Sequence, residues 1–108
     1  MMKATFLNHS CLLLELDSVC LLFDWWKGEL PPLRPNVPLL VFVSHWHEDH
    51  FSPAVFSLDA AAYLMGSMDR TWLSRKGVSP EQLERCVSIG GNESCTPLPG
   101  VLVETLPS

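Results

Sequence analysis

Basic residues are scarce in this sequence. Seven Lys and Arg stand against twelve Asp and Glu, giving a formal net charge of −5 over 108 residues. The few cations are scattered, so there is no basic stripe to follow a nucleic-acid backbone, and nucleic acid is not an expected partner. Long apolar runs are missing too. None approaches the ~20 residues a membrane helix needs, which argues against a membrane partner. No charged-then-apolar leader opens the chain, because Asn8-His9-Ser10 and Glu15 interrupt it. Cysteines number four, Cys11, Cys20, Cys86 and Cys95, with no Cys-x-x-Cys spacing. Without a leader they read as reduced thiols of a cytoplasmic protein. Cys11 and Cys20 fall on expected strands and should be core; whether Cys86 and Cys95 meet is left open. There is no Walker loop and no dinucleotide glycine fingerprint. Ser10 and Ser44 have histidine neighbours, but neither sits in a nucleophile elbow. No repeat, low-complexity tract or linker breaks the sequence, so residues 1–108 are expected to form one unit.

Histidine has the opposite distribution. Three of the four histidines fall within His45-Trp46-His47-Glu48-Asp49-His50. This window follows Leu39-Leu40-Val41-Phe42-Val43, an apolar run that predicts a buried strand. A strand that ends in imidazoles and a carboxylate can place metal ligands at the mouth of a sheet. Neutral imidazole suits zinc, and also iron or nickel, while the carboxylate can bind a second ion. An isolated His-x-His pair is usually a pair of solvated loop residues. The full pattern His-x-His-x-Asp-His behind an apolar strand resembles the signature of the metallo-β-lactamase fold superfamily. The resemblance implies that His45 and His47 ligate one metal and that Asp49 and His50 ligate a second. It implies one or two zinc ions, with iron or manganese as alternatives. Trp46 and Glu48 occupy variable positions and are not counted as ligands.

The preceding segment extends the resemblance. Met2 to Leu7, Cys11 to Leu16 and Val19 to Phe23 are predicted strands, the last two joined by a hairpin turn at Asp17-Ser18. A strand, Asn8-His9-Ser10 and a second strand look like the opening of the lactonase-like and ribonuclease Z-like branches. There a histidine such as His9 sits near the metals without being a main ligand; otherwise His9 is a turn residue bonded to backbone. Asp49 and His9 are the candidate catalytic residues. Asp24 ends the third strand, where the family has an aspartate that helps order the metal loop; the plainer reading is a turn residue. Trp25 to Pro32 is a loop by its Gly28 and paired prolines, and one of its two tryptophans can line a site entrance or pack as a lid on the core. Phe51 to Phe56 is predicted as a short helix and Ala61 to Met65 as a strand. A helix is expected from a Ser67 cap to Lys76, with Gly77 as its stop. Ser79-Pro80-Glu81-Gln82 carries a capping box and starts a second helix running to about Arg85. Cys86 to Ile89 and Val101 to Leu106 are predicted strands, with a turn at Gly90-Gly91-Asn92 between them.

The implied fold is α/β: the N-terminal half of the αββα metallo-β-lactamase sandwich, a mixed or antiparallel sheet with helices on one face. The complete fold has about twice this length, so the domain at 1–108 is expected to be incomplete. In the family the second half supplies two further histidines and a bridging aspartate. No histidine follows His50 here. Catalytic zinc normally keeps three protein ligands and one open position, and each ion would have two local ligands. The expected function is therefore a metal-dependent hydrolase that uses a metal-activated water on a small-molecule ester, lactone or phosphoester, incomplete as this chain alone. The alternative is a non-catalytic metal-binding or interaction module derived from such an enzyme. The composition, 47% apolar and 18% charged, suits a chain that buries much of itself. A sheet with one face uncovered predicts self-association, or pairing with a missing second half.

Overall fold

Short apolar runs set the first strands, with strict alternation only in the first, Lys3–Phe6. The computed structural model describes residues 2–7, 11–25, 30–43, 53–66, 70–89 and 93–105. Within them β1 (Lys3–Phe6), β2 (Leu12–Glu15) and β3 (Cys20–Phe23) form an antiparallel meander. The β2–β3 turn closes at Asp17-Ser18, where the Leu16 N–H donates to the Val19 carbonyl at 2.9 Å. From β3 onward the pairing becomes parallel, through β4 (Leu39–Val43), β5 (Ala62–Met65) and β6 (Cys86–Ser88). The result is a six-stranded mixed sheet whose spatial order equals the sequence order. β4 and β5 are buried almost throughout, as parallel strands covered on both faces should be.

One row of side chains fixes which face is inward. Leu13, Leu22, Val41, Tyr63 and Cys86 stand in register across five strands. They share a core with Val55 and Phe56 of a 3-10 helix (Pro53–Leu58), Leu73 of α1 (Arg70–Arg75), and Val78. Leu83 of α2 (Pro80–Glu84) packs on its margin. The helices thus lie on one face. This is a mixed α/β fold with the layout of half of an αββα sandwich: a helical layer, a sheet, and a second sheet face turned away from the helices.

That second face is not wholly bare. β7 (Ser94–Leu98) and β8 (Val101–Glu104) pair as an antiparallel hairpin. Leu98, Val101, Val103 and Cys95 pack against a cluster of Val19, Leu40, Ala62, Leu64 and Ile89. That cluster draws on β3, β4 and β5 and the residues beside them, and on none of β1. On β1 the same face leaves Ala4 exposed and Phe6 78% exposed.

Several boundaries differ from the sequence reading. β7 was not expected, and β8 stops at Glu104. The helix expected at 51–56 is described as a 3-10 helix that runs on to Leu58, and α1 ends at Arg75; the expected starts at Phe51 and Ser67 lie outside the described residues. All four cysteines are free. Cys86 sits in the core on the helical face and Cys95 packs on the other, so the sheet lies between them. No helix among the described residues is long and apolar enough to cross a membrane.

Candidate metal centre

Parallel strands end at the same end of a sheet, and here that end gathers the candidate residues' neighbours. β1, β3, β4, β5 and β6 all point one way, with β2 reversed. Phe6, Leu12, Phe23, Phe42, Leu64 and Val87 form the last complete row across all six strands. Beyond it the backbone still holds together. The Leu7 N–H donates to the Cys11 carbonyl at 3.0 Å, Asp24 to Phe42 at 2.8 Å, Gly66 to Val43 at 3.0 Å and Ile89 to Met65 at 2.9 Å. In open α/β sheets, ligands bind outside the carboxyl ends of the strands.

Asp24 is the one predicted site residue that the structure describes. It follows β3 directly and is half-buried, with φ at 52°. Aspartate tolerates this left-handed region better than most residues, and the turn takes the chain out of the sheet at this end. Its carboxylate lies close enough to act on Cys11 across the β2–β3 pair. Burial first, and then the Asp24 charge, push the Cys11 thiol up to about 11.

His9, His45, His47, Asp49 and His50 lie outside the described residues, as do Trp26, Trp46 and Glu48. What is described is their attachment. Leu7 and Cys11, which flank His9's segment, and Val43, from which the His45–His50 segment departs, all stand at the carboxyl end beside Asp24. Among the described residues, no group of three or more His, Cys, Asp or Glu gathers to hold a metal ion. The donors carried by residues 45–50 are three imidazoles and two carboxylates. That set suits an ion of the zinc, iron or manganese class.

Sequence reasoning missed the structure that anchors the far side of this segment. The 3-10 helix Pro53–Leu58 resumes the described chain after the motif, and the Phe56 carbonyl is its fixed point. That carbonyl accepts from the Tyr63 hydroxyl at 3.4 Å and from Gln82 Nε2. The Ala60 N–H in turn donates to the Tyr63 oxygen at 3.3 Å. The Phe56 and Tyr63 rings meet at 4.7 Å. Gln82 also completes the α2 capping box: its Oε1 accepts from the Ser79 N–H at 3.2 Å, and the Gln82 N–H donates to the Ser79 hydroxyl at 3.3 Å. One glutamine therefore ties α2 to the helix that follows the motif. A lone tyrosine within a buried strand was the available signal, since a buried phenol needs a partner.

The opposite end of the sheet is occupied by a different arrangement. A cavity of about 820 Å³ there is lined by Cys20, Arg34, Asp59 and Arg85 among others. Its cations already have partners. Arg34 donates to the Leu16 carbonyl and to Cys20 Sγ, and Arg85 pairs with Asp59 at 2.9 Å. None of these residues belongs to the carboxyl-end group.

The described residues thus form a half-sandwich α/β sheet, with a donor-rich segment of the sequence leaving the carboxyl end of a central parallel strand. Comparison with known proteins finds relatives named as metal-dependent hydrolases. The chain is 31% identical over 113 aligned residues to a protein of Desulforamulus reducens named "UPF0173 metal-dependent hydrolase", covering 97% of this chain and 46% of that protein. It is 32% identical over 100 residues to a protein of the same name from Methylacidiphilum infernorum, covering 86% and 43%. The chain thus spans less than half the length of these curated relatives. No protein-family profile and no solved structure matches it.

Proposed function

We propose that residues 45–50 form the metal-binding part of a metal-dependent hydrolase, with zinc as the ion. In this reading His45 and His47 hold one ion, Asp49 and His50 a second, and Asp24 steadies the loop from the end of β3. His9 approaches from the β1–β2 connection. A bound metal would lower the pKa of its water and polarise the scissile group of an ester, lactone or phosphoester. The observation that carries the reading is the departure of this donor set from Val43, at the carboxyl end of β4, beside the ends of β1 and β3. The names of the relatives support the same kind of chemistry. Two donors per ion fall short of the three that catalytic zinc keeps. The chain alone should therefore hold metal loosely and turn over little until further ligands are supplied by a second half or a second copy.

Elemental analysis after zinc loading tests the reading. Measured at equilibrium with excess zinc, the chain is expected to hold one or two ions per copy, and the His45→Ala/His47→Ala double variant to lose at least one. Equal metal content in the two proteins, or none in either, would remove the metal-centre assignment.

A further inference from the structure

Residues 44–52 join β4 to the 3-10 helix Pro53–Leu58 and carry all four candidate ligands. A segment tethered at two ends holds its ligands only as firmly as both ends are held. The sheet fixes the upstream end. Val43 is buried, and its carbonyl accepts from the Gly66 N–H at 3.0 Å. The downstream end enters a helix instead. Val55 and Phe56 bury their side chains in the core. Apolar packing is non-directional, so it does not by itself fix how that helix is turned. Hydrogen bonds are directional, and here they come from another element.

That element is α2. Gln82 Nε2 donates to the Phe56 carbonyl. Phe56 lies in the last turn of the 3-10 helix, where a carbonyl relies on donors outside the helix. Arg85, the C-cap of α2, donates to the Ala60 carbonyl at 3.1 Å and to the Asp59 carboxylate at 2.9 Å. α2 takes its own position from the sheet, because Arg85 leads directly into β6, which pairs with β5. The Gln82 amide uses both its ends. Oε1 accepts from the Ser79 N–H within its own helix, while Nε2 reaches across to the other. A glutamate could make the first contact and not the second.

We propose that Gln82 is a positioning residue for the metal centre: through the Phe56 carbonyl it fixes the downstream end of the ligand-bearing segment, as β4 fixes the upstream end. This rests on the metal reading above and adds to that site a supporting residue from a separate element.

Equilibrium competition for zinc against a chromophoric chelator tests it, with the visible absorption of bound cobalt(II) as a second readout. Gln82→Glu keeps the capping-box acceptor and removes the donor to Phe56. Its added negative charge by itself favours a cation, so weaker binding would not be electrostatic in origin. Zinc affinity should fall about tenfold, the low end of what losing an outer supporting contact costs, and the cobalt spectrum should change. Ser79→Ala is the control. It weakens the same helix cap but leaves Nε2 on Phe56, so the urea midpoint should fall while zinc affinity and the cobalt spectrum stay at wild-type values. Gln82→Asn is neutral and one methylene shorter. It withdraws the amide from Phe56 and should reproduce the loss, even if Gln82→Glu does not fold. Unchanged zinc affinity in the Gln82 variants would overturn the assignment. So would an equal loss in Ser79→Ala, since the contact would then act only through the stability of α2. A wild-type chain that holds zinc regardless of Gln82 keeps the metal centre and loses the positioning role. A wild-type chain that holds no zinc removes both.

Discussion

Tyr63 is the chain's single tyrosine, and its hydroxyl serves two backbone groups within a fully buried site. Tyr63→Phe keeps the ring and removes both contacts. Gln82 still donates to the Phe56 carbonyl, but the Ala60 N–H loses its acceptor. Urea denaturation should show a loss of about 1–2 kcal/mol. Cys11 gives a pH prediction. Its thiol moves from an ordinary 9.0 to about 11, through burial and then the Asp24 carboxylate. The folded state therefore holds this proton more tightly than the unfolded state. Its contribution to stability is complete below about pH 9 and is lost as pH rises toward 11. Cys86 is displaced in the same direction by burial. Denaturation midpoints should fall across this alkaline window, and Cys11→Ala should flatten the fall. At this scale the sequence was partly legible. Asp24 could be placed because it closes an apolar run, whereas its left-handed φ could not be read from its neighbours. The contacts of Tyr63 join backbone atoms three and seven residues away, through a turn no local pattern announces.

Among the elements, those with strong local signals were the ones read correctly. β4 was legible to the residue, since five consecutive apolar side chains have no amphipathic alternative at that length. The Ser79–Gln82 box was legible because both reciprocal partners are in the sequence and Pro80 is preset for the first turn. Ser79→Ala should cost about 1 kcal/mol. Gln82→Ala should cost more, because it also frees the Phe56 carbonyl; paired denaturation curves would check the order. Gly77 ends α1 with φ at 94° and open space where a Cβ would be. Gly77→Ala should therefore cost about 1 kcal/mol from backbone conformation alone. β7 escaped notice for a physical reason. Ser94, Thr96 and Pro97 give it little apolar content, and proline suits only an edge or irregular strand, which fits the register shift between Cys95 and Leu98. The usable clue was Pro99-Gly100, a turn dipeptide whose glycine sits at φ 80°.

In the whole molecule, the helical face is closed and the other face is covered only in part. Phe6 is the most exposed large apolar side chain of the described residues, on an edge strand whose outer backbone has no neighbour in the sheet. Such an edge is a template for pairing. The isolated chain should self-associate in sedimentation velocity runs, and Phe6→Asp should shift it toward monomer; a wild-type chain that stays monomeric at high concentration would argue against this surface. The expectation of an uncovered face came from chain length, and the hairpin modifies it. The candidate metal residues were legible by type and spacing, while the end of the sheet they attach to became visible only with the strand directions. Those directions also bear on synthesis. Because strand order equals sequence order, no strand has to be inserted between two already paired. The first meander can close on local contacts as soon as residue 24 has left the ribosome, and each later strand is added at the free edge. The antiparallel meander, local in sequence, favours early closure, whereas the parallel pairings that follow join strands across longer connections and form more slowly. The donor-rich segment after Val43 therefore emerges onto a nascent sheet whose β1–β3 rim is already available.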